Sequence, residues 1–138
     1  MIVTNEQIKQ KARHLALNHD PYITEKTSKA FWRDIVKDFG ELRRFIDELY
    51  ENRSSCVQPA EEWLLDHAEF IEEQTVGLRE EAAIALKRSL PYLAKHRPRI
   101  YAICSDYIEL VDGRVEHSSL VTYLRSYQEV SILTIAEV

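Results

Sequence analysis

Apolar residues recur along this chain at intervals of three and four, the period of helices with one buried face. Thr4, Asn5, Glu6 and Gln7 have the form of a capping box, in which the Thr4 hydroxyl accepts from the amide of residue 7 while Gln7 reaches back. They predict a helix over 4–19 with Ile8, Ala12 and Leu15 on its inner stripe, stopped by Pro21. Phe31, Ile35, Phe39, Leu42, Ile46 and Leu49 hold one phase across Gly40 and predict a helix over 28–52, followed by a loop at 52–55. Pro59 suits a first helical turn, and Leu64, Ala68, Ile71, Thr75, Leu78, Ala82 and Ala85 keep phase across Gly77. A single helix over 59–89 is therefore expected, ended by Pro91. Pro98 opens a helix that buries Ile100, Ala102, Ile103, Tyr107 and Leu110, and Asp112 with Gly113 stops it. Ser118 or Ser119 is expected to cap a last helix that turns Leu120, Tyr123, Leu124 and Tyr127 inward. The expectation is an all-α fold, a bundle of about five to six helices including two long ones, with 1–138 as one domain.

The end of the chain adds to this picture. Thr134, Ile135, Ala136 and Glu137 repeat the spacing of a capping box, and Val130, Ile132, Leu133, Ile135 and Val138 around them are apolar. A helix start with no helix behind it suggests that the chain is a fragment of a much larger one. It also predicts a tail that is poorly ordered or that joins copies into a homo-oligomer.

Composition narrows the class without reaching a function. With 45% hydrophobic and 30% charged residues the 138-residue chain has the balance of an ordinary globular domain. Three glycines and four prolines are too few for the turns of an all-β fold, and neither a dinucleotide fingerprint nor a P-loop is present. The longest uncharged apolar run, 130–136, is far short of the roughly 20 residues that cross a bilayer. The start has neither the basic nor the apolar segment of a signal peptide, so a cytoplasmic location is expected. Cys56 and Cys104, without CxxC spacing, read as two free thiols in a reducing compartment. A net charge of −5 argues against nucleic acid as a partner.

Charge patterning supplies the one candidate surface. Glu62, Asp66, Glu69 and Glu73, spaced four, three and four, fall in one stripe of the helix from 59. Residues 59–81 carry eight acids and one base, Arg79, whereas 87–99 carry five bases, Lys87, Arg88, Lys95, Arg97 and Arg99, and no acid. The two segments form a candidate interaction surface centred on Glu62, Asp66, Glu69, Glu73, Arg97 and Arg99, and a solvated acidic face beside a basic loop accounts for the same pattern. No Glu-x-x-His pair occurs, so no di-metal site is expected. His67 beside Asp66 lacks a nucleophile to serve, and Cys104 reads as a core thiol. Catalytic residues, metal ligands and cofactors are expected to be none. Phe31, Tyr101, Tyr107 and Tyr123 are expected in the core. Trp32 and Tyr92 are left between core and a sugar-stacking role, and Trp63 and the other tyrosines have the chemistry for that role too.

Three segments, in this order, carry a resemblance. Glu62, Trp63, Leu64, Leu65 and Asp66, followed by Ile71, Glu72, Glu73 and Gln74, make the first, and Pro98, Arg99, Ile100, Tyr101 and Ala102 make the second. The third is Tyr127, Gln128, Glu129 and Val130 with Leu133, Thr134, Ile135, Ala136 and Glu137. Together they resemble the N-terminal region of bacterial cyclic β-1,2-glucan synthetases, which build cyclic glucans from UDP-glucose and carry glycoside-phosphorylase-like modules. The likeness covers 59–138. His67 stands where the family usually has Asn, Ala68 and Glu69 replace an aromatic and a histidine, Gly77 interrupts a helix the family keeps, and Ile132 replaces a usual Pro. The resemblance implies a non-catalytic helical region of a glycosyltransferase, on the cytoplasmic side of an inner-membrane enzyme. It implies as partners the remaining domains of the parent enzyme and its glucan. The competing expectation is a free-standing helical module that binds a partner protein.

Overall fold

The computed structural model describes residues 2–23, 29–52, 58–85 and 90–138. Among these the chain is mainly helical, in the order α1 (Asn5–Asn18), β1 (Tyr22–Ile23), α2 (Lys29–Glu51), α3 (Pro59–Asp66), α4 (Ala68–Ala85), β2 (Pro91–Leu93), β3 (Arg97–Pro98), α5 (Arg99–Leu110) and α6 (His117–Gln128). The expected all-α character is observed, with the addition of one small three-stranded sheet. Contacts divide the chain into two compact units, Met1–Thr27 with Arg88–Val138, and Ser28–Lys87.

In the first unit, α1 starts as the sequence predicts: the Thr4 hydroxyl accepts from the Gln7 amide at 3.2 Å and the Gln7 side chain accepts from the Thr4 amide at 2.9 Å. Helices α1, α5 and α6 bury one cluster, Ile8, Ala12, Ala16, Ile103, Tyr107, Val111, Tyr123 and Tyr127, closed by Leu133 from the tail. Three buried tyrosines cost free energy unless each hydroxyl has a partner, and all three do. The Tyr107 hydroxyl is hydrogen-bonded to Ser119 Oγ at 2.5 Å, Tyr127 meets His19 Nδ1 at 2.8 Å, and Tyr123 donates to Asp106. Tyr101, expected in the core, is instead 42% exposed beneath the Arg97 guanidinium, which lies 5.3 Å from its ring centre.

Helix α5 ends as Asp112 and Gly113 predict. Both have positive φ, 53° and 73°, and Gly113 N–H donates to Ile108 O at 2.9 Å while Asp112 N–H donates to Glu109 O at 3.1 Å, the two bonds of a Schellman motif. Helix α6 begins before either predicted serine, with Glu116 at its N-cap. Ser119 Oγ turns back to Glu116 O at 3.0 Å and to the Tyr107 hydroxyl, so the serine is spent on tying α6 to α5.

The strands were not foreseen. β2 lies between β1 and β3, antiparallel to both, with Tyr22 opposite Tyr92 and Tyr92 opposite Pro98. Segments of two and three residues offer no alternation to read, and the turn between β2 and β3 depends on Lys95 adopting φ 66°. Tyr92 is buried, which settles its position as core, and Trp32 is half-buried.

In the second unit, α2 matches the expected long helix and continues through Gly40. The helix expected over 59–89 is two helices. They part at His67, not at Gly77, and 86–89 lie outside the described residues, as do 53–55 of the expected loop. At His67 φ is −106° and ψ is 8°. The His67 ring bonds through Nδ1 to Trp63 O at 2.8 Å and stacks on the Trp63 ring at 4.1 Å, so that carbonyl accepts from the side chain as well as from the backbone. The interruption is a single residue: His67 N–H still donates to Trp63 O and Ile71 N–H to His67 O. Ile46 and Leu65 are the buried side chains of this unit among the described residues, and the Tyr50 hydroxyl donates to Leu65 O at 3.2 Å.

Candidate functional site

Three places on the molecule combine chemistry with position. The first is the outer face of α3 and α4. Glu62, Asp66, Glu69 and Glu73, the stripe read from the sequence, are all exposed. They flank a second row that the sequence reading did not single out: Trp63, Phe70 and Ile84, exposed by 55%, 59% and 60%. These positions are seven residues apart once Gly77 is included, and seven residues turn a helix back to within about 20° of the start. The acids fall one residue before or three after a row member, and both offsets lie on the same side of the row. The result is an apolar ridge with an acidic edge.

The second place is an open groove of about 290 Å³ between α2 and α4. Leu42, Ile46, Ile71 and Thr75 form its floor, and Gly40 leaves it open, since no atom lies within 4 Å of where a Cβ would stand. Arg43 and Glu72 meet at 3.4 Å at its mouth, with side chains 73% and 61% exposed. An ion pair so open to water contributes little to stability. No nucleophile faces a base in this groove, and its residues offer shape and mixed charge only.

The third is a buried charge pair in the first unit. Arg99, which the sequence placed on the interaction surface, is only 3% exposed. Its position at the start of α5 points the guanidinium under the tail, where Nε donates to Glu137 Oε1 at 2.8 Å and Nη2 donates to Glu137 Oε2 at 2.5 Å. Nη1 donates to Ser131 Oγ and Nη2 also to Ile132 O, each at 3.0 Å. Burial pushes the Glu137 carboxyl up, but the hydrogen bonds from Arg99 and from the Thr134 N–H outweigh this and hold it below the ordinary carboxylate range. The capping-box spacing at 134–137 thus has another use: the Glu137 carboxylate accepts from Thr134 N–H and Oγ, closing a turn. The tail is not loose. Leu133 and Glu137 anchor it, while Ile132, Ile135 and Val138 are exposed by 78%, 95% and 94%.

Beside this pair, burial and then the nearby Arg99 charge lower the His19 imidazole below its usual range, which favours the neutral ring against Tyr127. Burial and the Asp106 acceptor push the Tyr123 phenol far up, and burial raises the Cys104 thiol, which makes it a poor nucleophile. These groups are arranged to satisfy one another rather than to face a cavity.

Arg97 is exposed and engaged with Tyr101. It belongs to the first unit and the acidic stripe to the second; Lys87 and Arg88 lie outside the described residues. Among the described residues no group of three or more His, Cys, Asp or Glu side chains is placed to hold a metal ion, and no helix is long and apolar enough to cross a membrane. The Arg99 pair was missed because an arginine after a proline and an acid near a chain end carry no periodic signal. Their shared membership of the segments that suggested the family was the available hint. Comparison with family models, with curated proteins and with solved structures gives no match.

Proposed function

We propose that the chain is a non-catalytic helical region of a cyclic β-1,2-glucan synthetase-like glycosyltransferase, acting by packing against the other domains of that enzyme or in handling its glucan. The observation that carries this reading is the pairing of two of the segments that suggested the family: Arg99 of the second and Glu137 of the third form one buried ion pair across 38 positions. Segments held in contact are constrained together, which supports reading them as parts of one motif. The first segment forms α3 and the start of α4, where Trp63 and Phe70 stand exposed, as a packing or ligand-handling surface requires. The acids there form an edge rather than a facing pair, so glucosyl transfer is assigned to the rest of the parent enzyme.

The test is the coding sequence after Val138. The proposal expects an open frame running into membrane spans and a nucleotide-sugar glycosyltransferase domain. A stop codon directly after Val138 would replace it with the free-standing interaction module, which the same exposed ridge would serve. The purified chain is expected neither to hydrolyse UDP-glucose nor to transfer its glucose. Turnover by homogeneous protein, lost on Glu69→Gln or Glu73→Gln, would overturn the non-catalytic assignment.

A further inference from the structure

We infer that the ridge of α3 and α4 is a docking seam for a cationic amphipathic helix. The inference deepens the packing role proposed above, by naming the chemistry of the partner surface, and it holds equally for a free-standing module. Trp63 of α3 and Phe70 and Ile84 of α4 stand at multiples of seven positions, and each is more than half exposed. Gly77 lies between Phe70 and Ile84, and a Cβ there would meet nothing within 4 Å, so the ridge has a notch in which a side chain of a partner helix can sit. A row of apolar side chains at heptad spacing is the half-interface that a second helix completes.

The charges decide which helix. Glu62 and Glu69 precede row members by one position, while Asp66, Glu73 and Glu80 follow Trp63, Phe70 and Gly77 by three, so five acids line one edge of the seam, interrupted by Val76 and Ala83 towards its end. All five are exposed and none is in an ion pair among those identified in the described residues. A second copy of the same seam would set acid against acid, and like charges across an interface cost free energy. Nucleic acid and anionic membrane are disfavoured for the same reason. A helix with an apolar stripe bordered by Lys or Arg satisfies the ridge and its edge at once.

The experiment uses the whole chain and three labelled helical peptides. One has a leucine stripe bordered by lysines, one has the same stripe bordered by glutamates, and one has the lysine composition with the leucines spread around the helix. Fluorescence anisotropy is read against chain concentration. The lysine-bordered peptide should bind, weakening at least about tenfold as NaCl rises from about 0.05 M to about 0.5 M, and the other two should bind at least about tenfold more weakly. Phe70→Ser should cost about tenfold or more, and combined Glu62→Lys, Asp66→Lys, Glu69→Lys and Glu73→Lys should transfer preference to the glutamate-bordered peptide. Because these residues are exposed, circular dichroism should be unchanged in both variants. Equal binding of the lysine- and glutamate-bordered peptides, or binding indifferent to both variants, would overturn the inference. So would sedimentation showing self-association that Phe70→Ser abolishes, since a second copy would then own the seam. None of these outcomes bears on the reading frame after Val138, so the two proposals fail separately.

Discussion

Replacing Arg99 with Met tests the internal architecture at its most sensitive point. The Glu137 side chain has no solvent exposure and that of Arg99 has 3%, so truncating the arginine leaves a carboxylate with neither water nor counter-charge. Loss of one partner of a buried pair costs about 3–5 kcal/mol, against about 5–15 kcal/mol for the stability of a typical domain. The carboxylate keeps its bonds from Thr134 N–H and Oγ, which places the expected loss for Arg99→Met near the lower limit, about 3 kcal/mol. Glu137→Gln should cost less, because the amide still accepts from one guanidinium nitrogen and Arg99 retains Ser131 Oγ and Ile132 O. The double variant with Met at both positions removes both charges and should recover most of the loss. Urea unfolding of the wild type, Arg99→Met, Glu137→Met and the double variant gives the coupling energy, and hydrogen exchange at Leu133 and Glu137 reports whether the tail detaches first. A loss under about 1 kcal/mol for Arg99→Met, with tail amides still protected, would refute the role assigned to the pair.

The remaining predictions use other parts of the chain. Acidification should destabilise the protein in two stages. The His19 pKa is lowered in the fold, so its contribution is complete above the unfolded value of about 6.5 and is lost as pH falls below it; His19→Asn should flatten this stage of a pH series of melting curves. Glu137, also lowered, should add a second loss below about pH 4.5, absent from Glu137→Gln. Gly77→Ala should stabilise the chain by up to about 1 kcal/mol in denaturant unfolding, because Gly77 lies within α4 with open space at its Cβ position, whereas Gly113→Ala, at φ 73°, should destabilise it. Thr4→Ala should cost about 1 kcal/mol by removing the cap of α1, read by the same unfolding curves.

Local signals in the sequence translated well where one residue's backbone chemistry decides the outcome. The Thr4 and Gln7 box, the stop at Asp112 and Gly113, and the phase of α2 through Gly40 are all as read. The break at His67 was invisible to apolar phase, because it is confined to one residue's backbone angles while the bonds from His67 N–H to Trp63 O and from Ile71 N–H to His67 O persist and the helical phase runs on. The small sheet was invisible because β1 and β3 are too short to show a period and become strands only on meeting β2. At the candidate site, the acidic stripe was legible from spacing, but the ridge beside it was not. From sequence Trp63 reads only as a residue able to stack on sugar and Phe70 has no assigned role, and their exposure is what puts both on one ridge. Arg99 shows the opposite failure: charge suggested a surface, and only tertiary contact with a residue 38 positions away shows it buried.

The size and location of the native protein in its own cells bear most directly on the functional proposal. An antibody raised against this chain, used on fractionated cells, should detect one polypeptide many times larger than 16.2 kDa in the membrane fraction, as a region of a glucan synthetase-like enzyme requires. A band near 16.2 kDa in the soluble fraction, with no larger species, would contradict it.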